Sequence, residues 1–131
     1  MHIIDIDTHN KMQAVDITDR ISRIVLDSKV KDGVCYVYVP HTTSAVTINE
    51  NADPSVMSDI ITGFENIVPY KNNYTHIEGN SPAHIKTLLT GNSVTVLVNS
   101  GILALGTWHG IYFMEFDGPR KRKIYVKIIE G

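Results

Sequence analysis

The chain contains few of the features that define several common classes of protein. Its 131 residues include one cysteine, Cys35, so an internal disulfide is excluded and a reducing compartment is expected. Basic residues are not in excess, because 12 Lys and Arg stand against 14 Asp and Glu, for a formal net charge of -2. This balance provides no electrostatic basis for binding a nucleic acid or an anionic membrane.

Long apolar runs are also missing. No stretch approaches the roughly 18 consecutive apolar residues of a membrane-spanning helix. Residues 1–7 lack the basic region and the uninterrupted apolar core of a signal peptide. We therefore expect a cytoplasmic protein with no membrane partner. With 43% hydrophobic residues, the chain can bury a substantial core, and we predict a single domain over residues 1–131.

The hydrophobic pattern predicts an α+β domain. Apolar and polar residues alternate in several stretches with the period of two that is typical of half-buried strands, and other stretches have the helical period. The predicted strands cover residues 4–7, 12–15, 34–39, 46–48, 94–98, 110–116 and 124–129, and the predicted helices cover residues 18–28, 54–68 and 81–89. From this order we expect a largely antiparallel, barrel-like β-sheet capped by helices.

Two polar segments stand out, residues 39–54 and residues 76–84. Each combines histidine with hydroxyl, amide and carboxylate side chains, and each runs to the start of a predicted helix. Loops at the ends of regular elements commonly carry functional residues on a rigid scaffold. We therefore predict that the two segments meet in space and form one site.

Three histidines in these segments are candidate metal ligands, namely His41, His76 and His84. Three neutral imidazoles are a common ligand set for zinc in an open catalytic site, which keeps a fourth position for water or substrate. Imidazole also suits copper, iron and nickel. The alternative is that each ring makes a local hydrogen bond, and the spacing of the three residues does not choose between the two interpretations.

Two carboxylates, Glu50 and Asp53, are candidate catalytic groups because they directly follow a predicted strand. Glu50 could orient a ligand or act as a general base. Asp53 also has a structural explanation, since it precedes Pro54 where a helix cap is expected. Glu78 lies between His76 and His84 in sequence and could serve as an acceptor for an imidazole N–H group.

Phosphate is the ligand best suited to the remaining polar residues. Both polar segments end at predicted helix N-termini, where free N–H groups and the helix dipole favour anions. We predict phosphate contacts from Thr43, Asn80, Ser81 and Arg120. Arg120 begins a run of four basic residues after a turn, and such a run is often only a solvated surface.

Five motifs together resemble the YjbQ family. They are PHTT (residues 40–43), NENADP (49–54), GNSPAH (79–84), LGTW (105–108) and EFDGPR (115–120), and they span nearly the whole chain in order. The resemblance implies a compact α+β fold, assembly as a homotrimer, and metal-associated histidines at positions 41, 76 and 84. His109 is a departure, because many members are expected to carry glutamine there.

The resemblance also implies an activity like that of a thiamine-phosphate synthase. That reaction joins a pyrimidine methyl diphosphate to a thiazole phosphate and expels pyrophosphate. A divalent metal would assist, most simply zinc, or magnesium together with the diphosphate substrate. Two other functions remain open at this point: a non-catalytic protein that binds a metal or a phosphorylated metabolite, and a metal-dependent hydrolase in which an open zinc position activates water.

Overall fold

The computed structural model describes all 131 residues, Met1–Gly131. It contains three helices and eight strands. The strands are β1 His2–Asp7, β2 Gln13–Asp16, β3 Asp32–Tyr38, β4 Ser44–Glu50, β5 Ser93–Asn99, β6 Ile102–Leu103, β7 His109–Glu115 and β8 Lys121–Glu130, and the helices are α1 Thr18–Ser28, α2 Pro54–Ile67 and α3 Ser81–Thr90.

All strand pairs are antiparallel, and the strands form two sheets. The larger sheet has the order β1-β8-β3-β5-β6 and the smaller has the order β2-β7-β4. The predicted α+β domain, with a largely antiparallel, barrel-like sheet capped by helices, is confirmed. The two-residue strand β6 was not predicted, because two residues are too few to establish a period of two.

The main core lies between the two sheets and α1. Strands of the larger sheet turn every second residue inward, so Val37 and Val126 are fully buried and belong to the same cluster. The smaller sheet contributes Phe113 from β7, and α1 contributes Ile21 and Val25. The apolar residues that alternate with polar ones in the sequence therefore form the inward face of the larger sheet.

The smaller sheet is covered on its second face by α2 and α3. A second buried cluster contains Met114 from β7, Met57 from α2 and Ala83 from α3, with Phe116 just after β7. Strand β7 has only one exposed residue, His109, because both faces of its sheet are packed. This explains why residues 111–114 form a continuous apolar run instead of an alternating one.

The helix starts follow the local rules. The side chain of Asp53 accepts the backbone N–H of Ser55 at 2.9 Å and caps α2, as predicted. In α3 the N-cap is Asn80, and its side chain makes no capping bond. The longest helix, α2, has 14 residues, and no helix has the length and apolar character needed to cross a membrane.

Candidate functional site

A cleft of about 730 Å³ opens at one end of the molecule. The segment that joins β3 to β4 forms one wall, the segment before α3 and the first turns of α3 form another, and the turn into β8 closes the third side. Only one of its twelve lining residues is hydrophobic. The cleft collects six of the residues predicted to form a site, namely His41, Thr43, His76, Asn80, His84 and Arg120. The two polar segments of the sequence therefore meet here.

His41 is held in a defined position. Its Nε2 accepts a hydrogen bond from the backbone N–H of Lys123 at 3.0 Å, and the side-chain amide of Asn92 donates to its carbonyl oxygen at 2.8 Å. Partial burial, and then the positive charge of Arg122, lower the pKa of His41. A neutral ring that accepts at Nε2 carries its proton on Nδ1. In this orientation His41 has no free nitrogen for a metal.

His76 and His84 form a pair. Their ring centroids are 5.5 Å apart with the planes nearly perpendicular, and Oε1 of Glu78 lies 3.9 Å from Nε2 of His76. No group of three or more His, Cys, Asp or Glu side chains is arranged to hold a metal ion. The donor set fits a metal in part, because two imidazoles are adjacent and a carboxylate stands beside one of them. Any further ligand would have to come from a rearranged side chain or from the substrate.

The floor of the cleft is a buried ion pair. Arg122 is 5% exposed and Glu115 is fully buried; Nε of Arg122 donates to Oε1 of Glu115 at 2.9 Å, and a second guanidinium nitrogen contacts the other carboxylate oxygen. The same guanidinium donates to Oγ1 of Thr43 at 2.8 Å. Glu115 also accepts from Oγ1 of Thr8 at 2.7 Å and from the N–H of Asp117 at 3.1 Å. Both oxygens of the Glu115 carboxylate therefore accept hydrogen bonds from residues that build the cleft.

The rim of the cleft is a second charged cluster. Arg120 donates through Nε to the carbonyl oxygen of Asp117 at 2.8 Å and through a terminal nitrogen to its carboxylate at 3.0 Å, and the amide of Asn80 donates to that carboxylate at 2.9 Å. Burial raises the pKa of Asp117, but the hydrogen bonds from Asn80 and Arg120 outweigh it, so the pKa is lowered. Oδ1 of Asn80 is buried with no hydrogen-bond partner, and Arg120 keeps guanidinium N–H groups that make no bond within the chain.

Gly118 makes this cluster possible. A Cβ atom at this position would overlap the backbone oxygen of Asn10 and would lie 2.9 Å from both Thr8 Oγ1 and Glu115 Cγ. Only glycine therefore lets the turn after β7 approach Thr8 and the backbone of Asn10 so closely. The backbone N–H of Asp117 donates to Glu115, and that of Arg120 donates to Thr8, so the turn links the rim of the cleft to its floor.

Three predicted site residues lie outside the cleft. Glu50 is at the far end of β4, which begins beside Thr43 and runs away from the cleft for roughly 20 Å at the usual strand rise. Asp53 is occupied as the cap of α2, and hydrogen bonds from Ser55 lower its pKa. Ser81 lines an adjoining hollow of about 480 Å³ that shares His76 and His84 with the cleft.

Arg122 is the main residue of the cleft that the sequence interpretation missed. It belonged to a basic run regarded as a surface, yet it is buried. A signal was present: Arg122 has the same strand parity as Ile124 and Val126, which face inward, whereas Lys121 and Lys123 have the opposite parity and are exposed. Extending the alternation of β8 toward its start would have placed Arg122 inside the domain.

The fold and the cleft define a class of small α+β proteins with an antiparallel sheet and a site rich in histidine and arginine at one end. A model of the family described as "UPF0047 protein YjbQ-like" matches residues 2–131. The chain therefore belongs to the YjbQ family, and the resemblance noted in its sequence motifs is confirmed.

Individual relatives agree with this assignment. The chain is 55% identical to the UPF0047 protein MJ1081 of Methanocaldococcus jannaschii, over 95% of this chain and 90% of the relative. It is 42% identical to the UPF0047 protein YugU of Bacillus subtilis, over 96% of each. Among solved structures, an uncharacterised conserved protein of the family from Clostridium acetobutylicum superimposes with a TM-score of 0.97 at 49% identity, over 98% of this chain and 100% of the other. These relatives fix the family and the fold, and their names assign no reaction.

Proposed function

We propose that this protein is a cytoplasmic, metal-binding enzyme that acts on phosphorylated small molecules in the cleft described above. The observation that carries the proposal is the convergence of three histidines and two arginines in one polar cleft. Guanidinium N–H groups, hydroxyls and amides are the donors that phosphate oxygens require. The free, buried thiol of Cys35 agrees with a reducing compartment.

Arg120 is the residue best placed to bind phosphate. Its side chain is about half exposed, and two of its guanidinium nitrogens are already oriented by Asp117. A guanidinium fixed in this way loses little conformational freedom when it binds an anion. Thr42 and Thr43 line the facing wall, and Asn80 lies beside Asp117. Glu50 and Asp53 have no part in this arrangement.

The charge balance of the cleft supports a metal. Glu115 pairs with Arg122, and Asp117 pairs with Arg120, so the two guanidiniums are largely neutralised. Glu78 adds one more negative charge at the edge. A phosphate therefore needs extra positive charge, which a divalent metal at His76 and His84 would supply. We propose zinc as that metal, or magnesium when it enters with a diphosphate.

As the reaction we propose a thiamine-phosphate synthase-like condensation. A C–N bond forms between the ring nitrogen of a thiazole phosphate and the methylene of a pyrimidine methyl diphosphate, and the C–O bond to pyrophosphate breaks. The residues of this chain would bind the leaving pyrophosphate through Arg120 and Thr43, because stabilising the charge that develops there lowers the barrier. A cleft of about 730 Å³ is within the size range of small-molecule sites.

We also propose that the protein is a homotrimer that assembles through the outer face of the larger sheet. Every second side chain of β3 and β5 points outward here, and Tyr36, Tyr38 and Leu97 are 44%, 49% and 62% exposed. Ile3 on β1 lies on the same outward face, where Lys127 of β8 stands opposite Tyr36. Exposed aromatic and aliphatic side chains grouped on a sheet face, with polar residues around them, are typical of a protein interface. Tyr38 also lines the cleft, so a partner on this face would sit close to the site.

Metal content tests the first part of the proposal. Purified, tag-free protein is incubated with zinc, freed of excess metal and analysed beside His84→Ala and the matched control His9→Ala, an exposed histidine outside the cleft. We expect about one zinc per chain in the parent and in the control, and a loss of zinc in His84→Ala with the fold unchanged. Equal zinc in all three proteins would refute a site at His84.

Product analysis tests the reaction. Incubation with the pyrimidine diphosphate and the thiazole phosphate should give thiamine phosphate and pyrophosphate in equal amounts, and Arg120→Gln should lower kcat/KM by at least tenfold. Stoichiometric uptake of either compound without product would instead establish a binding protein. Release of inorganic phosphate from simple phosphate esters, dependent on zinc, would establish a hydrolase.

Mass in solution tests the assembly. We expect three copies in the parent protein and a shift to monomer in Leu97→Glu, because a charge at the centre of an apolar contact must be desolvated. The control Ser58→Glu lies on the exposed side of α2, away from the larger sheet, and should leave the mass unchanged. A monomeric parent protein, or a trimer unaffected by both substitutions, would contradict an interface on this face.

A further inference from the structure

A second cavity of about 530 Å³ lies on the other side of α3 from the cleft. His84 faces the cleft, and Lys86 faces the second cavity, since two residues correspond to a rotation of about 200° around a helix. The apolar walls are formed by Ile61 of α2, Pro82 of α3 and Phe116. The cavity shares none of its lining residues with the cleft.

Lys86 is unusual among the charged residues of the chain. It is 3% exposed, yet its ammonium group makes no ion pair and has a single hydrogen-bond partner, the Sδ atom of Met12 at 3.3 Å. A thioether sulfur is a weak acceptor, and an ammonium carries three donors. Lysine is seldom buried to this degree without a paired anion. Two donors of Lys86 therefore remain for a ligand in the cavity.

Other polar groups in the cavity set the charge of that ligand. Lys11 and Glu65 line the walls together with Lys86, which leaves one net positive charge. Nζ of Lys11 contacts the hydroxyl of Tyr70 and lies 3.9 Å from the centre of its ring. One negative charge on a ligand would balance the net charge of Lys11, Glu65 and Lys86. Because the remaining walls are apolar, the body of the ligand should be apolar as well.

From this geometry we propose that the second cavity binds a small organic carboxylate with an apolar body, and that Lys86 holds its carboxylate. The acid group would accept the unused N–H donors of Lys86, with Lys11 and the Tyr70 hydroxyl at the entrance. The apolar part would pack against Ile61, Pro82 and Phe116. This site does not depend on the cleft or on the chemistry proposed for it.

Benzoate is a suitable probe, with benzyl alcohol as its uncharged counterpart. Both are titrated into the 15N-labelled protein while backbone amide shifts are followed. We expect saturable shifts in α3 and around Met12 with benzoate, and binding of benzyl alcohol at least about tenfold weaker, since the alcohol lacks the charge-assisted hydrogen bond to Lys86. Lys86→Met should weaken benzoate by a similar factor. Lys71→Met, at an exposed lysine outside the cavity, is the control.

The outcomes separate the possibilities clearly. Methionine approximates the stem of lysine and removes a buried, unpaired charge, so Lys86→Met is expected to fold. His84→Ala should leave benzoate binding unchanged, which separates this site from the cleft. Absence of saturable shifts, equal binding of benzyl alcohol, or benzoate binding that survives Lys86→Met would each overturn the proposal.

Discussion

The buried pair between Arg122 and Glu115 should dominate the stability of the cleft. Replacing Arg122 with Met keeps much of the apolar stem and removes the charge. It leaves a carboxylate with no solvent exposure and without its guanidinium. Breaking a buried ion pair on one side typically costs about 3–5 kcal/mol of unfolding free energy. Glu115 retains the donors Thr8 Oγ1 and the N–H of Asp117, so we expect a value near the lower limit, about 3 kcal/mol.

The converse substitution should cost less. Glu115→Leu leaves Arg122 without its anion, but Arg122 lines the cleft and can reach water, so about 2 kcal/mol is expected. In the double variant no charge is left unpaired, although Thr8 and the N–H of Asp117 lose their acceptor and Thr43 loses its donor. Its cost should therefore be well below the sum of the two single variants. The coupling energy should be about 2–3 kcal/mol.

Urea denaturation of the four proteins at pH 7 and one protein concentration measures these values. The concentration is held constant, because the proposed assembly would make apparent stability depend on it. Arg23→Met, at an exposed arginine on α1, is the control and should change stability by less than about 0.5 kcal/mol. A coupling energy below about 0.5 kcal/mol would refute the assignment of this pair as the support of the cleft floor.

Two further predictions follow from the helix cap and from the cleft histidine. Asp53→Ala should lower the unfolding free energy by about 1 kcal/mol, because the N–H of Ser55 loses its acceptor. Asp53→Asn should lower it by less, because the amide oxygen can still accept. Loss of activity without loss of stability would instead give Asp53 a catalytic role. The pKa of His41 is lower in the folded protein than in the unfolded chain, where it is about 6.5. Between these two pKa values the unfolded chain binds more protons than the folded protein, so stability falls as the pH falls. His41→Gln keeps an acceptor for Lys123 without titrating, so urea denaturation at pH 7 and pH 5 should show a smaller decline; equal declines would contradict this account.

Much of the fold could be predicted because its signals are local. The start of α2 is encoded by Asp53 and Pro54, and its end by the approach to Pro69. The division of the strands into two sheets has no such local signal. Strand β3, for example, pairs with both β5 and β8, which lie about 60 and 90 residues away, and only tertiary packing selects those partners.

The candidate site shows the same distinction. His76, Asn80 and His84 are close in sequence, and the start of α3 places them on one side of the cleft. Glu50 is equally close in sequence to Thr43, but an extended strand carries it about 20 Å away. Proximity in sequence therefore indicates proximity in space across a helix turn or a short loop, and not along a strand.

The pairing of charges in the cleft also determines how a metal and a phosphate should affect each other. Arg120 and Arg122 are each bonded to a carboxylate, so neither can give its full charge to an added anion. A cation at His76 and His84 should therefore raise the affinity for phosphate, and phosphate should raise the affinity for the cation. Thermodynamic linkage requires the two factors to be equal. Calorimetric titrations of zinc with and without inorganic phosphate, and of phosphate with and without zinc, should give one common factor above one. A factor of one in both directions would show that the two ligands do not share the cleft.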